Sequence, residues 1–133
     1  MNYAIFPPED FLQTRLSLPL SKSMSARALI ISALTPGGQL PGPIAKCDDT
    51  DALLKALSDT EPGLKTINVG AAGTTMRFLT AYYAALPGCN VVLDGSERMR
   101  RRPIGVLVEA LRSQTAPGHR SIHRLMPFMS ARP

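Results

Sequence analysis

The chain has 133 residues, of which 44% are hydrophobic and 19% charged, and a net charge of +5. That length suits one domain and is short for two, and the composition excludes a disordered polypeptide. No apolar run approaches the roughly 18 residues that span a bilayer, and the opening MNYAIFPPEDF has neither a basic leader nor an apolar stretch. In chain order, Leu12, Thr14, Leu16 and Leu18 alternate with Gln13, Arg15 and Ser17, a period of two that predicts a half-buried strand ended by Pro19. A helix is expected from about Ser23 to Thr35, burying Ala28, Ile31, Ala33 and Leu34, with PGG at 36–38 as its stop. QLPGPIAKC leaves room for a short edge strand at most. DDTDALLKALSD predicts a second helix with Asp49 or Thr50 as N-cap and Leu53, Leu54 and Leu57 as its apolar face. A strand KTINV, a tight loop GAAGTT and a third helix MRFLTAYYAAL follow. The strand NVVLDG, the loop SERMRRR and a fourth helix opening on Pro103 close the regular part. Strands alternating with helices predict an α/β or α+β fold.

The charge is unevenly spread. No acidic residue follows Glu109, whereas Arg112, Arg120, Arg124 and Arg132 do, so four of the five excess positive charges sit in the last two dozen residues. A nucleic-acid partner is the alternative reading of RMRRR and this tail. It is disfavoured because the chain has only four Phe, three Tyr and no Trp to stack on bases. His119 and His123 have helical spacing but lack nearby Cys, Asp or Glu, so no metal site is expected. Cys47 and Cys89 are read as reduced thiols, in keeping with a cytoplasmic protein.

Cations recur where helices begin. Lys22 lies among Ser21, Ser23 and Ser25; Arg77 follows Thr74, the expected N-cap of the third helix; Arg102 directly precedes Pro103, with Arg98, Arg100 and Arg101 crowded beside it. The first turn of a helix is partly positive, so each such cation costs about 0.3–1 kcal/mol unless an anion is near. Taken singly, the serines read as caps, GAAGTT as a sharp turn and RMRRR as a solvated loop. Three cations at successive strand-to-helix junctions point instead to a shared anionic ligand. Gly70 and Gly73 would let backbone amides approach phosphate or carboxylate oxygens, and arginine pairs with two such oxygens at once. Ser23 and Arg27, four apart, share a helix face beside Lys22.

SKSMSARALIISALTPG, DDT, GAAGTTMRFLTAY and LDGSERMRRRPIGVLVEAL stand in the order of the signatures of the EPSP synthase (3-phosphoshikimate 1-carboxyvinyltransferase) family, which the chain resembles over residues 19–112. UDP-N-acetylglucosamine enolpyruvyl transferases share the general plan, but the first and last motifs favour the shikimate enzyme. The resemblance implies an inside-out α/β barrel built of βαβαββ units in two domains. Residues 1–18 would belong to the second domain, 19–113 would form part of the N-terminal one, and 114–133 would be an irregular tail. It also implies transfer of the enolpyruvyl group of phosphoenolpyruvate to the 5-hydroxyl of shikimate 3-phosphate, with no metal or organic cofactor. By motif, Lys22 would touch both substrates, Ser23 and Arg27 would hold shikimate 3-phosphate, and Gly73, Thr74 and Arg102 would meet phosphoenolpyruvate. Asp48, Asp49 and Arg77 would orient these groups. The complete enzyme is expected to be a monomer without nucleic-acid or membrane partners, and a target of glyphosate.

The chain departs from the family at Ala71, where asparagine is usual, and at Arg101, where glutamate is common. Family members are several times longer, and their proton-transfer groups lie in later segments. The tail matches no family continuation, so a truncated or out-of-frame reading is expected, and a chain inactive by itself.

Overall fold

The computed structural model describes residues 3–9, 11, 13–40, 42–59 and 64–114. Seven elements follow one another: α1 (Lys22–Leu34), α2 (Asp48–Ser58), β1 (Leu64–Asn68), α3 (Gly73–Ala85), β2 (Asn90–Asp94), α4 (Glu97–Arg100) and α5 (Gly105–Gln114). The mixed α/β class is as the alternation of patterns predicts. β1 and β2 pair in parallel, Leu64 opposite Asn90 through Asn68 opposite Asp94, and α3 is the crossover between them. Parallel neighbours need such a crossover because the end of one strand and the start of the next lie a full strand length apart, at opposite ends of the pair.

α3 organises the core. Its Met76, Leu79 and Tyr83 are buried with Ile67 and Val69 from the β1 side and Val91 and Leu93 from β2. α2 adds Leu53 and Ala56, α1 adds Ala26 and Leu29, and Ile104 and Val108 join from the α5 end. Two hydroxyls stitch α3 to α2: Tyr83 Oη donates to the Ala56 carbonyl at 2.7 Å and Thr75 Oγ1 to the Asp49 carbonyl at 2.9 Å. Thr50, fully buried, donates to the Ala45 carbonyl at 2.7 Å and so pins the chain entering α2.

Several expected boundaries move, each for a local reason. The N-cap of α1 is Ser21, whose hydroxyl accepts from the Met24 amide at 3.3 Å, so Lys22 is itself the first helical residue. Cys47 rather than Asp49 or Thr50 precedes α2; Thr50 lies inside the helix, its hydroxyl accepting from the Cys47 amide at 3.2 Å. Ala72 caps α3, not Thr74, because the turn after β1 closes early through the Ala72 amide on the Val69 carbonyl. SERMRRR is not all loop: Ser96 caps the four-residue α4 and Met99 buries its inner side. Pro103 does not begin the last helix, which starts at Gly105; its carbonyl accepts instead from Arg77 at 3.3 Å.

The apolar face of α1 also differs from expectation. Ser25, Ala26 and Leu29 are buried, whereas Ile31 is 64% and Leu34 53% exposed. α1 carries apolar residues all round, so periodicity cannot select a face; contact with α2 and α3 does. On α2, Leu53 is buried and Leu57 partly so, but Leu54 is exposed. The alternating residues 13–18 form no ladder and are exposed, because no described strand lies beside them; Leu12 falls outside the described residues. No described strand forms between 39 and 47 either.

Candidate functional site

The turn leaving β1 and the turn leaving β2 are tied together. Val69 donates to the Asp94 carbonyl at 2.9 Å, prolonging the ladder, and Ser96 donates to the Gly70 carbonyl at 2.9 Å. The Asn68 side chain accepts from the Gly70 amide at 2.8 Å, and Gly70 takes φ +58°, a left-handed conformation that a Cβ would oppose. These turns lie outside the carboxyl ends of parallel strands, where open α/β sheets ordinarily bind ligands.

Arg102 reaches back from the β2–α5 connection onto this turn. Its guanidinium sits so close to the Gly73 backbone that a Cβ on Gly73 would collide with it, and Arg77 lies next nearest. Arg77 donates to the Gly73 carbonyl at 3.2 Å as well as to Pro103, clamping the start of α3 to the Arg102 segment. A cavity of about 90 Å³ opens beside them, lined by Ala71, Ser96, Arg98, Met99 and Arg102.

Lys22 stands in a second group. Its ammonium is 3.2 Å from the Asp49 carboxylate, and the Asp49 carbonyl holds Thr75 of α3. The starts of α1, α2 and α3 therefore meet, and Asp49 supplies the negative charge that the first turn of α1 lacks. Asp48, beside it, is exposed, as are Thr74 and Ser23. Arg27 bends back onto its own helix, donating to the Ser23 carbonyl at 3.0 Å and to the Ser23 hydroxyl. Lys22 also borders a larger hollow of about 520 Å³ with Pro19, Leu20, Pro43, Ile44, Ala45, Lys46 and Cys47. The Cys47 thiol there is held below the usual thiol range by its contact with the Thr50 hydroxyl.

The structure thus brings Gly73, Arg77 and Arg102 into one contact set, and Lys22 and Asp49 into another linked to it through Thr75. Ser23 and Arg27 form a third pair one turn along α1. The sequence did not single out Arg98 or Ser96 as site residues; the signal was the crowding of SERMRRR, but beyond Arg102 before Pro103 nothing in it distinguished Arg98 from Arg100 or Arg101. Among the described residues no cluster of three or more His, Cys, Asp and Glu could hold a metal ion, and His119 and His123 lie outside them. No described helix is long and apolar enough to cross a membrane.

Fold and site together define an α/β protein with guanidinium groups gathered on the turns at the carboxyl ends of its parallel strands. Residues 58–117 match the family model for EPSP synthase (3-phosphoshikimate 1-carboxyvinyltransferase). The 3-phosphoshikimate 1-carboxyvinyltransferase of Bacteroides fragilis is 47% identical over 112 residues, covering 84% of this chain and 26% of that protein. The proteins of the same name from Rhizobium leguminosarum bv. trifolii and Pseudomonas syringae pv. tomato are each 40% identical, over 82% and 80% of this chain and 30% of theirs. No solved structure matches. The chain is similar to EPSP synthase family sequences over most of its length, and it spans between about a quarter and a third of the length of the curated relatives it matches.

Proposed function

We propose that this chain supplies the first part of the active site of an enzyme that moves the enolpyruvyl group of phosphoenolpyruvate to the 5-hydroxyl of shikimate 3-phosphate, releasing phosphate. The observation that carries the reading is Arg102 seated against Gly73 at the carboxyl end of the parallel pair, where a cation converges on the first turn of α3. Phosphoenolpyruvate, with a phosphate and a carboxylate, suits that convergence, and a planar guanidinium can take two of its oxygens. Arg77, bonded to both Gly73 and Pro103, acts as the positioning residue that keeps Arg102 over the turn. Lys22 would serve both substrates, with Asp49 orienting its ammonium and Asp48 at the same helix start. Ser23 and Arg27 would turn outward to shikimate 3-phosphate, and Thr74 would add its hydroxyl on the phosphoenolpyruvate side.

In this reading residues 19–113 belong to an inside-out α/β barrel of βαβαββ units, and the exposed residues before Pro19 pair within a second domain. The complete enzyme works as a cytoplasmic monomer, without a nucleic-acid or membrane partner and without a cofactor, and its phosphoenolpyruvate site accepts glyphosate.

A chimera provides the test. The 112 matched residues replace their counterparts in the Bacteroides fragilis relative, and phosphate release is followed with both substrates present. Turnover is expected with shikimate 3-phosphate and not with UDP-N-acetylglucosamine as acceptor. In that chimera Arg102→Ala should weaken phosphoenolpyruvate binding by about 10- to 150-fold, the equivalent of one charged hydrogen bond at 1.5–3 kcal/mol. Lys22→Ala should cost more, since one side chain serves two ligands. A folded chimera without turnover, or one indifferent to Lys22→Ala, would remove the assignment.

A further inference from the structure

The four arginines between β2 and α5 are not equivalent. Arg100 is spent on Asp94, donating from Nε at 2.8 Å and from Nη2 at 2.7 Å to its two carboxylate oxygens. Arg101 is paired with Glu97 one helical turn away. Arg98 and Arg102 have no acidic partner among the described residues, and both line the 90 Å³ cavity. Two guanidinium groups on one hollow repel each other unless an anion lies between them. The two carboxylates nearest in sequence are already engaged, Glu97 by Arg101 and Asp94 at both oxygens by Arg100.

The rest of the lining fits the same ligand. Ser96 Oγ accepts from the Met99 amide at 3.3 Å, which leaves its own proton free to donate. Ala71, in the turn after β1, also lines it. A hollow of about 90 Å³ suits a compact tetrahedral oxyanion.

We propose that Arg98 and Arg102 together grip one phosphoryl oxyanion in this cavity, with the Ser96 hydroxyl as a third donor, which makes Arg98 a substrate-binding residue. The inference rests on the reading above for the identity of the ligand, phosphoenolpyruvate, and goes beyond it in adding a second arginine.

The test uses the full 133-residue chain and inorganic phosphate, followed by phosphorus NMR at fixed ionic strength, with far-UV circular dichroism to verify the fold of each variant. Saturable binding is expected, weakened about tenfold or more by Arg98→Gln and by Arg102→Gln, each removing a charged hydrogen bond, and unchanged by Arg101→Gln. No binding by the parent chain, an Arg98→Gln titration that matches it, or an equal loss in Arg101→Gln would overturn the proposal. Pyruvate, a carboxylate without a phosphoryl group, should bind more weakly; the reverse order would overturn the phosphoryl assignment.

In the chimera, Arg98→Gln should raise KM for phosphoenolpyruvate about tenfold, and Arg98→Lys should recover part of it. An active chimera whose KM ignores Arg98→Gln defeats this inference alone. A folded chimera with no turnover defeats the functional reading instead, and phosphate binding by the chain still decides whether Arg98 and Arg102 share an anion.

Discussion

The βαβ block at 64–94 and the stretch from residue 13 through α1 are both rich in leucine and isoleucine or valine, yet they meet water differently. In the first, Ile67, Val91, Leu93, Met76 and Leu79 all face one core. In the second, Leu16, Leu18, Met24 and Ile31 are exposed, and burial falls instead to the small side chains Ser25 and Ala26 and to Leu29. Apolar content is therefore a poor guide to where the core lies. A strand buries a face only when its ladder is filled, and a helix with apolar residues all round buries whichever side its neighbours reach. β1, α3 and β2 supply one another's partners within 31 consecutive residues; the alternating segment before Pro19 has none among the described residues.

The sharpest way to break this contrast is a pair of truncations compared by urea denaturation. Leu79→Ala, at a position with no exposure, should cost about 2–5 kcal/mol through lost burial and a residual cavity. Ile31→Ala, 64% exposed, should stay within about 0.5 kcal/mol. Similar losses at both sites would mean that α1 is covered in solution.

A second test asks whether packing and ligand contact separate inside the block itself. Gly73→Ala places a methyl where the Arg102 guanidinium lies, and a flexible side-chain end can yield. Stability should change little, whereas KM for phosphoenolpyruvate in the chimera should rise about tenfold as the guanidinium is displaced, with the shikimate 3-phosphate KM unmoved. A large loss of stability instead would show the glycine to be structural.

Tyr83→Phe should cost about 1 kcal/mol, the worth of its bond to the Ala56 carbonyl. Burial pushes the Tyr83 phenol up to about 12 from an ordinary value near 10. The folded chain keeps its proton over that interval while the unfolded chain loses it, so stability is full below pH 10 and falls as pH rises towards 12. Tyr83→Phe should flatten that alkaline limb in a pH series of denaturation midpoints.

The smallest effect is expected at Asp94. The Arg100 guanidinium, and then the Gly95 amide, hold its carboxyl down at about 2 against an ordinary 3.8. The folded state releases this proton more readily than the unfolded one, so the contribution is present above pH 3.8 and lost as pH falls through about 2. Asp94→Asn should make the acid limb shallower in that interval. An unchanged limb would mean that the pair is screened by solvent to no effect.

Element type was legible in the sequence wherever local chemistry decides it. The strands KTINV and NVVLDG and the stop at Pro87-Gly88 each carry their own signal and are found within a residue or two, whereas the helix expected from Met76 begins three residues earlier, at Gly73. The gathering of Gly73, Arg77 and Arg102 was half legible: cations recurring after successive strands are visible as a pattern, but Arg77 stands past the first turn of α3 and Arg102 three residues before α5, and their convergence is not visible. What only the tertiary structure decided is which charges are already neutralised. Asp49 reaches Lys22 and Asp94 takes Arg100; with Glu97 taking Arg101 one helical turn away, a local pair, the run of arginines resolves into two bound and two facing a shared cavity. The reason is physical: the first-turn positions, caps and strand patterns follow from neighbours along the chain, but the field at a charged group depends on what the fold brings within a few ångströms of it, and a parallel pair with its crossover brings together residues some 25 positions apart.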